Sequence, residues 1–269
     1  LIDGQFVESA TAEWRDVVNP ATQGVLARVP FATQGEVDAA VSAAKQAFKT
    51  WRKTPIGTRA RIFLKYQQLI REHMGELAET ARENFVDLSF AISPGLSIIY
   101  SSEADFQTLA RKLESVSKLG ISNFALFLDD VPQELVHPED KARFRTLAQA
   151  HIYLLNRLSD HLKTLSPGNR LTVCPTTYTN EWGSRDYIRE LGAGVHSDIP
   201  LDWTGTEVIP QTITATQAQE WGGYIHRRPL VWDNYPTNDN GGWWLNLDPL
   251  RGRDVELFSA VQGLFSNPM

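Results

Sequence analysis

Phe124-Ala125-Leu126-Phe127-Leu128 is the most apolar short run in the chain, and it stops abruptly at two carboxylates, Asp129 and Asp130. Five apolar residues without alternation predict a strand buried on both faces, which is the habit of parallel sheets covered by helices on each side. Charges are costly beside buried structure, and the C-terminal ends of parallel strands are where such folds keep their chemistry. Two readings of the pair stay open at this level. One aspartate caps the next helix while the other faces water, or the two form a catalytic dyad.

The surrounding sequence fits a parallel sheet. From residue 85 onward, short apolar runs alternate with helical stretches. Strands are expected over 86–92, 124–128, 171–174, 199–203, 230–232 and 255–260, with helices near 104–119, 140–164, 184–191 and 216–227. This alternation implies βαβ units. With no Gly-rich dinucleotide fingerprint among them, it favours a barrel over a Rossmann sheet.

The first part of the chain has a different grammar. Residues 1–7 read as strand, turn and strand, 25–29 as another strand, and Asn19-Pro20 as a turn between them. Thr33 stands as the N-cap of a helix whose apolar positions are Val37, Ala40, Val41, Ala44, Ala47, Phe48 and Trp51. Pro55 opens a second helix, carrying Ile62, Leu64, Tyr66, Leu69, Ile70, Met74 and Leu77 and running to Asn84. The expected division is therefore 1–84, an α+β segment, and 85–269, an α/β barrel segment.

Composition limits the partners. The net charge of −6 argues against nucleic acid and anionic membranes, which need a basic face. No apolar stretch approaches the roughly 20 residues needed to span a bilayer. No basic-then-apolar leader is visible, and the single Cys174 excludes an internal disulfide and a cysteine metal cage. A reducing, cytoplasmic setting is the expectation. Six of the 8 tryptophans lie after residue 180, and such aromatic enrichment suits sugar-binding clefts and interfaces alike.

Phosphate-loop, zinc-protease, nucleophile-elbow and dinucleotide motifs are absent. The six histidines show no metal-ligand spacing, so no metal or organic cofactor is expected. His151 and His161 read as packing or surface residues on a helix, and Cys174 as a buried structural thiol. What remains is a series of polar and aromatic groups after successive strands. They are Ser93-Pro94-Gly95, Asp129-Asp130, Pro175-Thr176-Thr177-Tyr178, Trp203-Thr204-Gly205, Trp232-Asp233-Asn234 with Asn238-Asp239, and Ser266-Asn267-Pro268. Each has a plain alternative: Tyr178 wedges a loop, Trp232 belongs to the core, and Asn234 and Asn267 serve turns.

Those motifs, preceded by Ala91-Ile92, Phe127-Leu128, Cys174 and Val231, resemble the catalytic domain of glycoside hydrolase family 84, the β-N-acetylglucosaminidases that include the protein O-GlcNAcases. They occur in family order from about Phe85 to Met269. The resemblance implies a (β/α)8 TIM-type barrel, lacking here its first two strands with their Gly-Phe-Tyr-type motif and substrate lysine. It also implies a partner bearing N-acetylglucosamine, and retaining, substrate-assisted hydrolysis. Asp129 would orient the 2-acetamido group and Asp130 would be the general acid/base. Tyr178 would lie near the acetamido pocket, and Trp232, Asn234, Asp239 and Asn267 would contact the sugar.

The chemistry is consistent with that assignment. When the substrate's own carbonyl oxygen attacks the anomeric carbon, the protein needs no nucleophile. It needs one carboxylate for the oxazoline N–H and one acid for the departing oxygen. Two neighbouring carboxylates repel, so one should keep its proton more readily. Because adjacent strand residues face opposite ways, both reach one pocket only if the strand ends at or before them.

The N-terminal segment resembles instead the start of an aldehyde dehydrogenase of the methylmalonate-semialdehyde type. The likeness rests on Leu1-Ile2-Asp3-Gly4, Val18-Asn19-Pro20-Ala21-Thr22, Phe48, Thr50, Trp51, Pro55, Arg59 and Arg61. The nucleotide-binding strands, catalytic cysteine and general-base glutamate of that family have no counterpart. Two alternatives to a glycosidase therefore stand. One is a non-catalytic sugar-binding or assembly module whose N-terminal hairpin drives homo-oligomerisation. The other is a dehydrogenase-derived fragment.

Overall fold

The computed structural model of the chain describes residues 2–18, 24–84, 86–235, 237 and 250–267. They form two compact units that divide between Glu72 and His73.

In the first unit, β1 (Trp14–Val18) pairs antiparallel with β2 (Val25–Pro30). Of the strands expected over residues 1–7, the described residues 2–7 supply none. Ile2 and Gln5 make a single bridge around Asp3 and Gly4, both at positive φ, so the segment is a tight turn without flanking ladders. Helix α1 (Gln34–Trp51) starts where expected. The Thr33 side chain accepts from the Glu36 N–H, and the Glu36 carboxylate accepts from the Thr33 N–H at 2.6 Å. Bonds from the Thr33 and Ala10 backbone and the Ser9 hydroxyl hold the Glu36 carboxyl down at about 2. The expected long second helix is two: α2 (Ile56–Glu72) and α3 (Met74–Glu83), broken at His73, which leaves helical geometry with ψ 10°. No residue of α1 or α2 is buried, and Val37, Phe48, Ile62, Leu64 and Tyr66 of their apolar stripes stay exposed.

The second unit begins with α3, whose Ala78 is buried in the core. It continues as an α/β arrangement of parallel strands separated by helices. The strands are β3 (Ser89–Ile92), β4 (Asn123–Phe127), β5 (Arg170–Cys174), β6 (Asp202–Trp203), β7 (Leu230–Asp233) and β8 (Gly263–Ser266). They form two three-stranded parallel sheets, β3-β4-β5 and β6-β7-β8, in chain order. The isolated parallel bridges Val173↔Leu201 and Thr179↔Gly205 join β5 to the β6 side. Among the described residues, β3 pairs only with β4 and β8 only with β7, so both ends of the series are open edges.

The helices are α4 (Glu103–Ser117), α5 (Pro138–Arg143), α6 (Leu147–Leu165), α7 (Arg185–Gly194), α8 (Ala215–Ile225) and α9 (Leu257–Ala260). Ser102, Thr146, Ser184 and Thr214 cap α4, α6, α7 and α8 through their hydroxyls. The core lies between helices and sheet. Phe124, Leu126 and Leu128 are covered by Leu109 and Leu113 of α4 and by Leu154, Leu155, Leu158 and Leu162 of α6. Each fully buried leucine contributes on the order of 1.5–3 kcal/mol. Trp203 stacks on Trp221 of α8, with ring centroids 6.0 Å apart at 18°.

Two expectations are corrected here. Residues 255–260 are not a strand: Leu257 and Ala260 are buried at helical spacing while Val255 and Phe258 are exposed, giving α9, and the last strand is β8. The helix expected over 140–164 is two, because Phe144 turns extended and Thr146 caps a new start for α6.

Arg227 closes the turn after α8 by spending all five N–H donors on backbone carbonyls: Ile225, His196, Ile199, Gly192 and Val195, at 2.7–3.1 Å. These include the end of α7, whose last carbonyls have no intrahelical partner. Replacing it with methionine leaves those acceptors unpaired, so Arg227→Met is expected to lower stability by about 3 kcal/mol or more in urea unfolding. A loss below about 1 kcal/mol would show that water replaces the guanidinium there.

Candidate functional site

The site starts where β4 stops. The Leu128 N–H donates to the Cys174 carbonyl at 2.8 Å, and the Thr176 hydroxyl donates to the Leu128 carbonyl at 2.8 Å. Both backbone polar groups of Leu128 are thus held by the end of β5. The ladder goes no further, and Asp129 and Asp130 fall in the turn beyond it. The strand therefore ends before the pair, the condition under which neighbouring side chains escape strict alternation. Asp129 is half-buried and Asp130 exposed. Burial pushes the Asp129 carboxyl up, and the Asp130 charge adds to that, against backbone hydrogen bonds that lower it.

Thr176 is itself held from behind. Its N–H donates to the Tyr187 hydroxyl at 3.3 Å, and that hydroxyl meets His151 Nδ1 at 2.9 Å. On the other side of the ring, His151 Nε2 meets the Tyr100 hydroxyl at 2.9 Å. Asp140 then accepts from the Tyr100 and Ser101 N–H groups at 3.0 and 2.7 Å. His151 and Asp140 are buried. This chain ties the loops after β3 and β5 to helices α5, α6 and α7. Burial drives His151 down to about 3, so it is neutral, one ring nitrogen donating and the other accepting. The expectation of a packing or surface histidine understated His151, which is a fully satisfied core link. His161 pairs edge-on with Phe106 at 6.3 Å, as a packing residue.

The other predicted site residues fall into place around this corner. Tyr178 follows β5, its carbonyl accepting from the Thr204 N–H at 2.9 Å and its ring meeting Trp182 edge-on at 4.9 Å. Burial first, then neighbouring negative groups including Asp129 and Asp130, push its phenol up to about 12. Register puts Phe127, Cys174, Trp232 and Phe265 on one face of the sheet, opposite Trp203 and Val231. Trp232 touches Phe127 at 5.0 Å and Phe265 at 5.1 Å, and its indole N–H has no partner. Asn234 donates to the Val208 carbonyl at 2.9 Å and accepts from the Asn267 amide at 2.9 Å. Asp239 lies outside the described residues, as does Asn238. The structure thus brings Asp129, Asp130 and Tyr178 into one group and Trp232, Asn234 and Asn267 into another, with the Phe127–Trp232 contact between them.

Beside Asn234, Asp233 is buried in a two-pronged pair with Arg253, at 2.6 and 2.5 Å, and Arg253 also donates to the Pro210 and Gln211 carbonyls, which ties the loop after β6 to the end of β7. Sequence reasoning missed this pair, the His151 chain and Asp202 on β6. Asp202 is buried, with neither oxygen partnered. An aspartate inside an otherwise apolar strand is the signal that could have marked it. Cys174 is a free buried thiol, pushed well up by burial. Among the described residues, no cluster of His, Cys, Asp and Glu could hold a metal ion, and no helix is long and apolar enough to cross a membrane.

Fold and site together define an α/β protein whose polar and aromatic groups gather at the C-terminal ends of parallel strands. The model of the beta-N-acetylglucosaminidase family matches residues 58–269, and the chain belongs to that family. Protein O-GlcNAcase of Rattus norvegicus is 32% identical over 202 residues, covering 73% of this chain and 22% of that protein. An O-GlcNAc hydrolase mutant of Thermobaculum terrenum has a similar structure, with TM-score 0.70 and 37% identity, covering 74% of this chain and 43% of that one. The chain thus spans about a fifth of the length of the curated O-GlcNAcase it matches. Residues 6–87 match the aldehyde dehydrogenase family. There, the mitochondrial methylmalonate-semialdehyde dehydrogenase of Arabidopsis thaliana is 59% identical over 78 residues, 29% of this chain and 13% of that protein.

The neutral His151 makes stability depend on pH. An unfolded histidine takes up a proton near pH 6.5, and the folded one only near 3. The unfolded state therefore binds more protons between those values, and stability falls as pH drops through them, by up to about 1.4 kcal/mol per pH unit. Urea unfolding of the parent and of His151→Gln across this range is expected to show a shallower slope in the variant. Equal slopes would mean that His151 is charged or accessible in the fold.

Proposed function

We propose that residues 85–269 act as a β-N-acetylglucosaminidase on glycans or glycoproteins bearing β-linked N-acetylglucosamine, by retaining, substrate-assisted catalysis. Residues 1–84 are then a dehydrogenase-like segment joined to it. The observation that carries the proposal is the paired anchoring of Leu128, which sets two adjacent aspartates beyond the strand in unequal surroundings. The six parallel strands are, on this reading, an arc of a (β/α)8 barrel without its first two strands.

The 2-acetamido carbonyl oxygen attacks the anomeric carbon as the glycosidic C–O bond breaks, and Asp130 gives its proton to the departing oxygen. Asp129 accepts the N–H of the resulting oxazolinium ion. Water then attacks the anomeric carbon, passing its proton back to Asp130, and the ring opens to free N-acetylglucosamine. No step calls on a metal or organic cofactor. Burial raises the Asp129 carboxyl from its ordinary range in the unliganded chain. A bound acetamido N–H opposes that shift by stabilising charge on Asp129. Tyr178 borders the acetamido group. Trp232 stacks below the ring, and Asn234, Asp239 and Asn267 bind its hydroxyls.

The open edges of β3 and β8 favour a second reading, a sugar-binding or assembly module without turnover, with residues 1–84 as an oligomerisation element. Hydrolysis of aryl 2-acetamido-glucosides separates the two. Turnover is expected, with Asp129→Asn and Asp130→Asn each reducing it by about 10²–10⁴-fold. The loss in Asp130→Asn should be greater for a basic leaving group than for an acidic one, since only the former needs the proton. Equal losses would place the general acid elsewhere, and no turnover by the parent chain would leave the binding module.

A further inference from the structure

Asp202 opens β6 at the seam between the two three-stranded sheets, directly after Leu201, which makes the bridge to Val173. Register places Leu201 with Val173, and therefore Asp202 on the opposite face, shared with Cys174, Phe127 and Trp232. Asp202 is 1% exposed, and neither carboxyl oxygen has a hydrogen-bond partner. Of Cys174, Phe127 and Trp232, which register places with it on that face, none is a cation. Asp129 and Asp130 lie beyond β4, Cys174 ends β5, Tyr178 follows it, and the Trp232 indole faces the same way from β7. Asp233, next on β7, is engaged by Arg253. A carboxylate in this position would lose its water and gain nothing in return.

We infer that Asp202 is a positioning residue of the site, an uncharged carboxylic acid that keeps its proton at neutral pH and so leaves the inward negative charge to Asp129. Of these two carboxyl groups, the proton stays with the one that solvent cannot reach. Asp129, only half-buried, is the one free to ionise and to accept a substrate N–H. Burial raises the Asp202 carboxyl well above the usual range, and the Asp129 charge adds to the effect. The role given to Asp129 rests on the glycosidase proposal, whereas the proton on Asp202 does not.

The test is the unfolding equilibrium of the full chain and of Asp202→Asn from about pH 4 to about pH 8. An unfolded aspartate ionises near pH 3.9. At this position the folded state keeps its proton and so binds more protons than the unfolded state, and the contribution of Asp202 to stability falls as pH rises. Asparagine carries no such proton. The advantage of Asp202→Asn should therefore widen by up to about tenfold in the folding equilibrium per pH unit. Asp202→Leu should show the same trend, and an infrared band of a protonated carboxylic acid in the parent at neutral pH should vanish in Asp202→Asn. A gap that is flat or narrows with pH, or a parent without that band, overturns the inference. A chain that shows the widening gap but hydrolyses no aryl glucoside supports it while losing the glycosidase proposal, so the two fail separately.

Discussion

Leu128 is the residue on which the site turns. Its N–H belongs to the last rung of the β4–β5 ladder and its carbonyl to the Thr176 hydroxyl, so the backbone is fixed on both sides immediately before Asp129. Leu128 itself is fully buried, and its neighbours in the strand pack under α4 and α6. Apolar burial on one side and a saturated backbone on the other leave the next two residues no place in the sheet. They emerge as a turn, and that turn presents the carboxyl pair. The Tyr100–His151–Tyr187 chain extends the same constraint backwards, holding Thr176 through a buried network in which every link is partnered.

Much of this was legible in the sequence because it is local. The unbroken apolar run 124–128 announced a strand buried on both faces, and Thr33 announced its helix through the capping box with Glu36. The strand-end groups could be aligned because parallel strands share a direction. What stayed hidden is non-local. His151 meets residues 51 and 36 positions away, and no periodicity records such a meeting. Asp202 fell within the strand expected over 199–203, yet nothing local says that its carboxyl would be buried without a partner. Residues 255–260 misled because Val255 and Phe258 favour strands by type. The buried pair Leu257 and Ala260 decided the outcome by tertiary packing.

The first unit shows the reverse case, local elements without a core. Helix α1 forms as its cap and periodicity require, yet α1 and α2 bury nothing. Helices of this kind draw most of their stability from packing an apolar face. The matching segment is a small fraction, 13%, of the Arabidopsis thaliana dehydrogenase. The open edges of β3 and β8 pose a similar problem for the second unit. In the second unit, the strand-end groups rest on the anchoring of Leu128 by Cys174 and Thr176.

Titration with a thiazoline that mimics the oxazoline intermediate addresses this directly. A site organised around Leu128 should bind it in the full chain, and Asp129→Asn should weaken that binding by about tenfold or more, since a charge-assisted hydrogen bond is lost. No binding by the parent chain, or the same affinity in the variant, would contradict the account.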